Sequence, residues 1–341
     1  MNKKASRIAL WIILGMLGLV AVWLAGLYFV NRSFPKQLTS TGKDFSPLCS
    51  PDGEKIAFLR KNFNLIAAET PQELWIMDSD GSHQEAVLLH GKPIITRVVQ
   101  WLPNSDGFLC CLNSGLWQVS LDGRAKELKK GILNFQCSPN GTRIAFLTLI
   151  GLYPEPLLKF SLRVINNDGT HGQSLATGPI TYYAWAGDNR NLIYSLYDRK
   201  ASNYDLWELS VDSKTTRRIC ATPASEEQPA CSPDGKYIVY VVGGTQRDLY
   251  ITPRNSFKPR KLMSNAFGPC WVNGGKLLQV SYEMSKTGPN GKSFWTESKI
   301  IDLNGKTVKE IGKCTPHDLN FFPDGHKYVY SEHGNIYLDR L

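Results

Sequence analysis

Few residues of this 341-residue chain have the types and spacing that chemistry demands. His317 is followed directly by Asp318, and Arg97 and Glu227 occupy equivalent places in a sequence repeat. An imidazole among carboxylates can hold a metal and activate water for lactone or ester chemistry. One His with no repeated ligand is a thin donor set, so a non-catalytic mouth of mixed polarity is the stronger expectation, with no metal and no cofactor. Thr287–Ser293, TGPNGKS, ends like a phosphate loop, but Lys286 stands where the first Gly belongs and the stretch falls between strands. Asp78-Ser79-Asp80-Gly81 suggests calcium until its slot is seen to recur as Asp122-Gly123, Asp168-Gly169 and Asn304-Gly305. A hairpin turn explains that recurrence, and the terminal Glu of an EF-hand is missing. Asn140-Gly141-Thr142 has the form of a glycosylation site but is a turn of the same repeat. A serine hydrolase would need a G-x-S-x-G elbow and an α/β domain of its own, and neither is present.

The elements that must position these residues are set by the repeat. CSPDGEKIAF from Cys49, CSPNGTRIAF from Cys137, CSPDGKYIVY from Cys231 and FFPDGHKYVY from Phe321 share one layout. Weaker copies start at Trp101, Trp185 and Trp271. The third positions are Pro51, Pro103, Pro139, Gly187, Pro233, Asn273 and Pro323, roughly 45 residues apart on average, which is propeller-blade spacing. Within a unit, Pro fixes φ and Gly or Asn tolerates φ > 0, as a tight hairpin requires. A β-branched or aromatic strand follows, then a third strand ending in an Asp/Asn-Gly turn, then a short fourth strand. Four antiparallel strands per unit make a blade. The fold expected is all-β, a seven-bladed β-propeller, with six blades as the fallback. The last unit has sequence for only three strands, while residues 36–39 read as a fourth strand with nothing ahead of it. That strand is expected to complete the last blade and close the ring, hiding two sheet edges.

The S-P-D-G-x-x-I-A-F phrase, with D-x-D-G farther on, resembles the TolB-like group of WD-like propeller repeats over about 300 residues. The resemblance is specific for fold and poor for function, since such repeats serve envelope proteins, sensors and peptidase accessory domains. TolB itself carries an extra α/β domain before a six-bladed propeller. That domain has no counterpart here, so its specific partner does not carry over.

Cys49, Cys137 and Cys231 fill the repeat position that Trp101, Trp185, Trp271 and Phe321 fill elsewhere, so they read as small hydrophobes between blades, too far apart to bridge. Cys110 and Cys111 are neighbours on one strand and face opposite ways. Cys220, Cys270 and Cys314 are the candidates for a bridge or a free thiol. No C-x-x-C occurs.

In a propeller the loops from fourth to first strands and from second to third strands share one face. Four residues before the signature position stand Phe45, Arg97, Leu133, Thr181, Glu227, Phe267 and His317; three before it stand Ser46, Val98, Asn134, Tyr182, Gln228, Gly268 and Asp318. Arg97, Glu227, His317 and Asp318 are therefore the channel-mouth candidates. Three long inserts, 62–72, 148–160 and 282–297, fall between second and third strands and project from that same face. They carry Phe63, Tyr153, Leu157, Phe160, Phe294 and Trp295, which either anchor a partner or fold back on the propeller.

Charge and hydropathy add an anchor. Of 39 Lys and Arg, six lie in residues 1–43 with no acid beside them, which supplies two thirds of the net charge of +9. A nucleic-acid binder would carry its excess on the folded domain, so none is expected. Residues 8–30 form an uncharged apolar run whose helix would span about 34 Å, enough for a bilayer core. It is longer than a secretory h-region and lacks an A-x-A cleavage site. Lys3, Lys4 and Arg7 favour a cytoplasmic N-terminus. The expected layout is a short cytoplasmic tail at 1–7, a transmembrane signal anchor at 8–30, a linker at 31–35 and a propeller at 36–341 outside the cytoplasm. The function expected is a non-catalytic protein- or ligand-binding module at the inner membrane of the bacterial envelope, its partner an envelope or membrane protein. The alternative is a lactonase-like hydrolase or lyase at the channel mouth around His317.

Overall fold

The second strand of each strong repeat has a run of four buried positions in succession. Ile56, Ala57, Phe58 and Leu59 in Lys55–Lys61, and Ile144, Ala145, Phe146 and Leu147 in Arg143–Leu152, are all at most 3% exposed. Successive strand residues point to opposite faces, so a sheet built on such strands is apolar on both and must be covered on both. The computed structural model shows how. It describes residues 35–62, 72–152, 157–220, 222–243, 247–288, 291–312 and 318–341. The anchor at 8–30, Phe63, Tyr153, Cys314 and His317 lie outside the described residues, as does the side chain of Phe294.

Seven four-stranded antiparallel sheets are formed among the described residues, with a small hairpin of Leu88–Leu89 and Lys92–Pro93 after the first. The seven-bladed arrangement thus holds and six blades do not. In chain order the first strands of the blades are Asp44–Cys49, Val99–Trp101, Asn134–Cys137, Ile180–Trp185, Glu226–Cys231, Ala266–Val272 and Leu319–Phe321. Blades 1 to 7 are numbered accordingly. Seven apolar clusters hold them together, one at each junction. Ala57, Leu59 and Ile76 of blade 1, for example, pack on Trp101, Phe108 and Cys110 of blade 2. Ile56, Phe58 and Met77 on the other face of blade 1 pack on Val329 and Ile336 of blade 7. Each blade buries both faces, so the stack has no terminal member and closes on itself.

At the closure, Lys36–Gln37 pairs antiparallel with Asn335–Arg340 as the outer strand of blade 7, in the register Lys36↔Leu338 and Gln37↔Tyr337. Leu38 continues inward, its N–H donating to the Ile336 carbonyl at 2.8 Å. No helix among the described residues is long and apolar enough to cross a membrane.

The turn signature has a definite chemistry. In blade 1 the Ser50 hydroxyl donates to the Asp52 carboxylate and accepts from the Lys55 N–H, while Asp52 also accepts from the Glu54 N–H. Ser138–Asn140 and Ser232–Asp234 repeat the arrangement. The Ser232 hydroxyl and the Lys236 N–H draw the Asp234 carboxyl down to about 2. The Asp/Asn-Gly slots are hairpin turns with left-handed glycines, Gly81, Gly123, Gly169 and Gly305.

Candidate functional site

The first strands of neighbouring blades touch at the junctions of blades 3 and 4, 4 and 5, 5 and 6, and 7 and 1, so they are the strands nearest the axis. Side chains one residue before the signature position lock them together. The Gln100 carbonyl oxygen accepts from Cys137 N–H, that of Gln136 from Trp185 N–H, and that of Asn320 from Cys49 N–H. Three tryptophans complete the lock. Trp101, Trp185 and Trp271 each donate their indole N–H to a main-chain carbonyl of the preceding blade, those of Leu48, Gln136 and Ala230, at 2.9–3.0 Å. In each case the carbonyl belongs to the residue just before Cys49, Cys137 or Cys231, so the bulky indole sits against the blade whose signature residue is small.

Nearer the mouth, three first strands carry a bulge with a left-handed residue followed by proline: Ser46-Pro47, Gln228-Pro229 and Gly268-Pro269. These residues bridge blades. The Gln228 carbonyl oxygen accepts from Gly268 N–H at 2.8 Å and its amide reaches the Tyr182 hydroxyl at 3.4 Å. Asp318 accepts from Ser46 N–H at 3.3 Å and from the Ser331 hydroxyl at 2.8 Å. It lines a cleft of about 390 Å³ with Phe45, Lys61, Thr296 and His333. Arg97 is exposed and lines a groove of about 440 Å³ with Ile95, Val98, Ile132 and Leu133. Glu227 is half-buried; burial raises its carboxyl pKa, offset in part by Arg247. The described mouth residues Arg97, Glu227 and Asp318 therefore stand on blades 2, 5 and 7, each with its own surroundings. No group of three or more His, Cys, Asp or Glu able to hold a metal occurs among the described residues.

Of the three inserts expected as loops, residues 63–71 of the first lie outside the described residues, and the other two are largely strands where they are described. Arg143–Leu152 and Leu158–Asn166 form a ribbon paired out to Leu152↔Leu158, and Leu277–Gly288 and Gly291–Asp302 form one paired out to Gly288↔Gly291. The described residues of the TGPNGKS stretch, Thr287, Gly288 and Gly291–Ser293, belong to the outer pairs of the second. The runs rich in β-branched and aromatic residues extend the existing ladder, which satisfies backbone groups that a loop would leave to water. Leu157 and Phe160 are half-buried, and Phe160 packs against the junction of blades 3 and 4. Trp295 donates to Glu297 at 2.7 Å. Glu297 and Glu310 both bond the Tyr282 hydroxyl, whose pKa is raised by burial and by these carboxylates. Among the bridging candidates, Cys220 is a buried free thiol raised to about 12 by burial, and Cys270 is exposed and free.

Four buried acids among the described residues, Asp44, Asp205, Glu208 and Glu226, escape sequence reasoning. Asp44 and Glu226 open the first strands of blades 1 and 5 at equivalent positions, and both are fully buried. Opposite Asp44 stands Arg60, which grips it at 2.6 and 3.0 Å; opposite Glu226 stands Val242. Glu226 has the Thr222 hydroxyl and the Cys220 thiol instead, and burial raises its pKa. The only sequence signal was the shared x-x-Pro spacing of DFSPLC and EEQPAC.

No family model matches the sequence. Among solved structures, an oligogalacturonate lyase in complex with manganese superposes with a TM-score of 0.66 at 14% identity, over 89% of this chain and 92% of that one. TolB from Acinetobacter baumannii gives 0.52 at 15% identity, over 76% and 63%. By sequence, an uncharacterized protein of Agrobacterium fabrum is 21% identical over 163 residues, 45% of this chain and 54% of that protein. The match thus spans about half the length of that curated relative. These likenesses establish the fold: a seven-bladed β-propeller with TolB-like propellers among its structural neighbours.

Proposed function

We propose that this chain is a membrane-anchored, TolB-like propeller that displays a non-catalytic protein-binding face on the outer side of the bacterial inner membrane. One observation carries the reading. The chain enters the ring at the face of the tight turns, where the Lys36 ammonium donates to the carbonyl of Asp80 in a third-to-fourth-strand turn, at 2.8 Å. The extended ribbons of blades 3 and 6 rise from the opposite face. An anchor at 8–30, joined through only residues 31–35, would hold the turn face toward the bilayer and turn the ribbon face to the aqueous side. The rigid inter-blade locks suit display, since a preorganised surface binds at lower entropic cost.

The enzyme alternative draws on the fold likeness to a manganese-bound lyase, and it would place its chemistry around His317 at the channel mouth. Alkaline extraction of membranes and protease accessibility in spheroplasts test the tether: the full chain should stay in the membrane pellet and be digested from outside. A freely extractable protein would refute the anchor. Stoichiometric bound manganese in the purified chain, with lactone or oligogalacturonate turnover lost in His317→Ala, would refute the non-catalytic role. A cross-linker placed at Tyr153 or Trp295 should trap a protein of the envelope.

A further inference from the structure

Two junctions of the ring differ from the rest at one position. In each blade the residue eight past the signature position pairs with a third-strand residue. In blades 1 and 3 that third-strand residue, Ile76 or Val164, packs on Trp101 or Trp185 of the next blade. It is also apolar and buried in blades 5, 6 and 7, as Ile251, Ile300 and Leu338. In blade 2 it is Gln118, and in blade 4 it is Glu208.

Between blades 4 and 5 the polar residue is fully engaged. Arg254 of blade 5 donates to Glu208 at 2.9 and 2.5 Å and to Asp188 at 2.7 Å, and Arg217 donates to the other Glu208 oxygen at 2.7 Å. Between blades 2 and 3 the same places hold Gln118 for Glu208, Asn104 for Asp188, Asn167 for Arg254 and Lys126 for Arg217. Backbone bonds confirm the match: Asn167 N–H donates to the Thr142 carbonyl as Arg254 N–H does to that of Lys236. With Asn in place of Arg, a cleft of about 400 Å³ is left at the turn face, lined by the three amides over Leu102, Leu109 and Cys137. The side chains of Asn104, Gln118 and Asn167 make no hydrogen bond among the described residues. Every residue lining the cleft is described, as are its chain neighbours. Lys126 turns away to the Asp168 carbonyl at 2.8 Å, and the Asp168 carboxylate accepts from Thr170, so the rim carries one charge of each sign.

Three convergent amides over an apolar floor specify an occupant. Each amide both donates and accepts, and none carries a charge. An ion entering there would lose its hydration without a counter-charge to replace it. Hydroxyl groups match amides in both roles, and the C–H face of a sugar ring covers apolar carbon. We propose that the cleft between blades 2 and 3 binds a neutral saccharide unit, its hydroxyls held by Asn104, Gln118 and Asn167 and one ring face set on Leu102 and Leu109. The cleft has the volume of a small-ligand site. It lies on the face opposite the ribbons of blades 3 and 6, so the proposal goes beyond the display reading and does not depend on it. The sugar would come free or as the headgroup of a glycolipid.

The test is saturation-transfer NMR on the full chain in a sugar-free detergent, with glucose, galactose, mannose and maltose as probes. Saturable binding of at least one is expected, with a Kd of about 1 mM or tighter. Gln118→Leu, which installs the kind of residue five other blades carry, should weaken it about tenfold or more. Asn104→Asp, Gln118→Glu and Asn167→Arg together rebuild the blade 4–5 ion cluster in the cleft, and should abolish binding while the urea midpoint is kept. Displacement of the bound probe by dodecyl maltoside doped into the micelles assigns a surface-borne headgroup; binding that it leaves untouched assigns a soluble sugar. Binding of none of the four probes, undiminished binding in both variants, or tighter binding of glucuronate than of glucose would overturn the proposal.

Discussion

The indole N–H of Trp185 donates to the main-chain carbonyl of Gln136 at 2.9 Å, while the Gln136 side chain accepts from the Trp185 N–H at 3.2 Å. Trp185 thus donates, and Gln136 accepts, both bonds that clasp blades 3 and 4. Trp101 and Trp271 make the same indole bond, to Leu48 and Ala230 of the blades before them. Each tryptophan blade follows a cysteine blade, so large and small signature residues alternate around the ring. An odd number of blades cannot sustain strict alternation. It breaks between blades 6 and 7, where Trp271 is followed by Phe321, while between blades 7 and 1 the Asn320 side chain accepts from Cys49 N–H at 2.9 Å, as those of Gln100 and Gln136 do at their junctions.

Trp185→Phe keeps most of the ring area and deletes the indole donor, leaving the Gln136 carbonyl without it. The expected loss is about 1–3 kcal/mol of stability, the cost of a buried polar group left unpaired. Trp185→Ala should cost about 3–5 kcal/mol, because a cavity is added. Chemical denaturation followed by tryptophan fluorescence measures both, and an undiminished stability in Trp185→Phe would show that the bond contributes nothing.

In the Asp44–Arg60 pair the carboxylate is fully buried and the guanidinium half-buried, with Arg60 also lying 4.0 Å over the Trp75 ring. Arg60→Met should cost about 3–5 kcal/mol by stranding a buried carboxylate. Asp44→Asn combined with Arg60→Met should cost less than Arg60→Met alone. A double-mutant cycle in urea decides it, and strict additivity would mean the two side chains do not interact.

Glu226 predicts a pH dependence of definite sign. Burial raises its pKa in the folded chain, so it binds its proton more tightly there than when unfolded. Its contribution is complete below the ordinary carboxylate range and is lost as pH rises through the raised folded value. Glu226→Gln should flatten that part of the profile of melting temperature against pH. An unchanged profile would place the dependence elsewhere.

Ring closure rests on residues 36–39. Leu38 is buried in the cluster shared by blades 7 and 1, and packs against Gly81, where an added Cβ would come within 3.1 Å of it. Leu38→Ala should cost about 2–5 kcal/mol. Deleting residues 36–39 from the full chain uncovers the edge of Asn335–Arg340, and concentration-dependent association should appear in light scattering. A monodisperse deletion variant would show that closure is dispensable.

The sequence by itself determined the repeat, the number of blades, the turn chemistry and the strand that completes the last blade. All of these follow from local signals: β-branched and aromatic strands, Pro-Asp-Gly turns, and one short strand left over at residues 36–39. It also led to the expectation that the long inserts share a face; those of blades 3 and 6 are ribbons where described, because a ladder once begun is cheaper to extend than to leave. Only the tertiary structure decided which side chains meet across a blade junction. Trp185 and Gln136 are 49 residues apart, and nothing in either segment announces the bond. Asp44 and Glu226 look alike in sequence, yet one faces Arg60 and the other Val242. The apolar groove beside Arg97 is likewise invisible in the chain, since Ile95 and Leu133 lie far apart in sequence and share a surface only when blades 2 and 3 pack together. Spacing along a chain encodes what a strand does; what lies beside it is settled by packing.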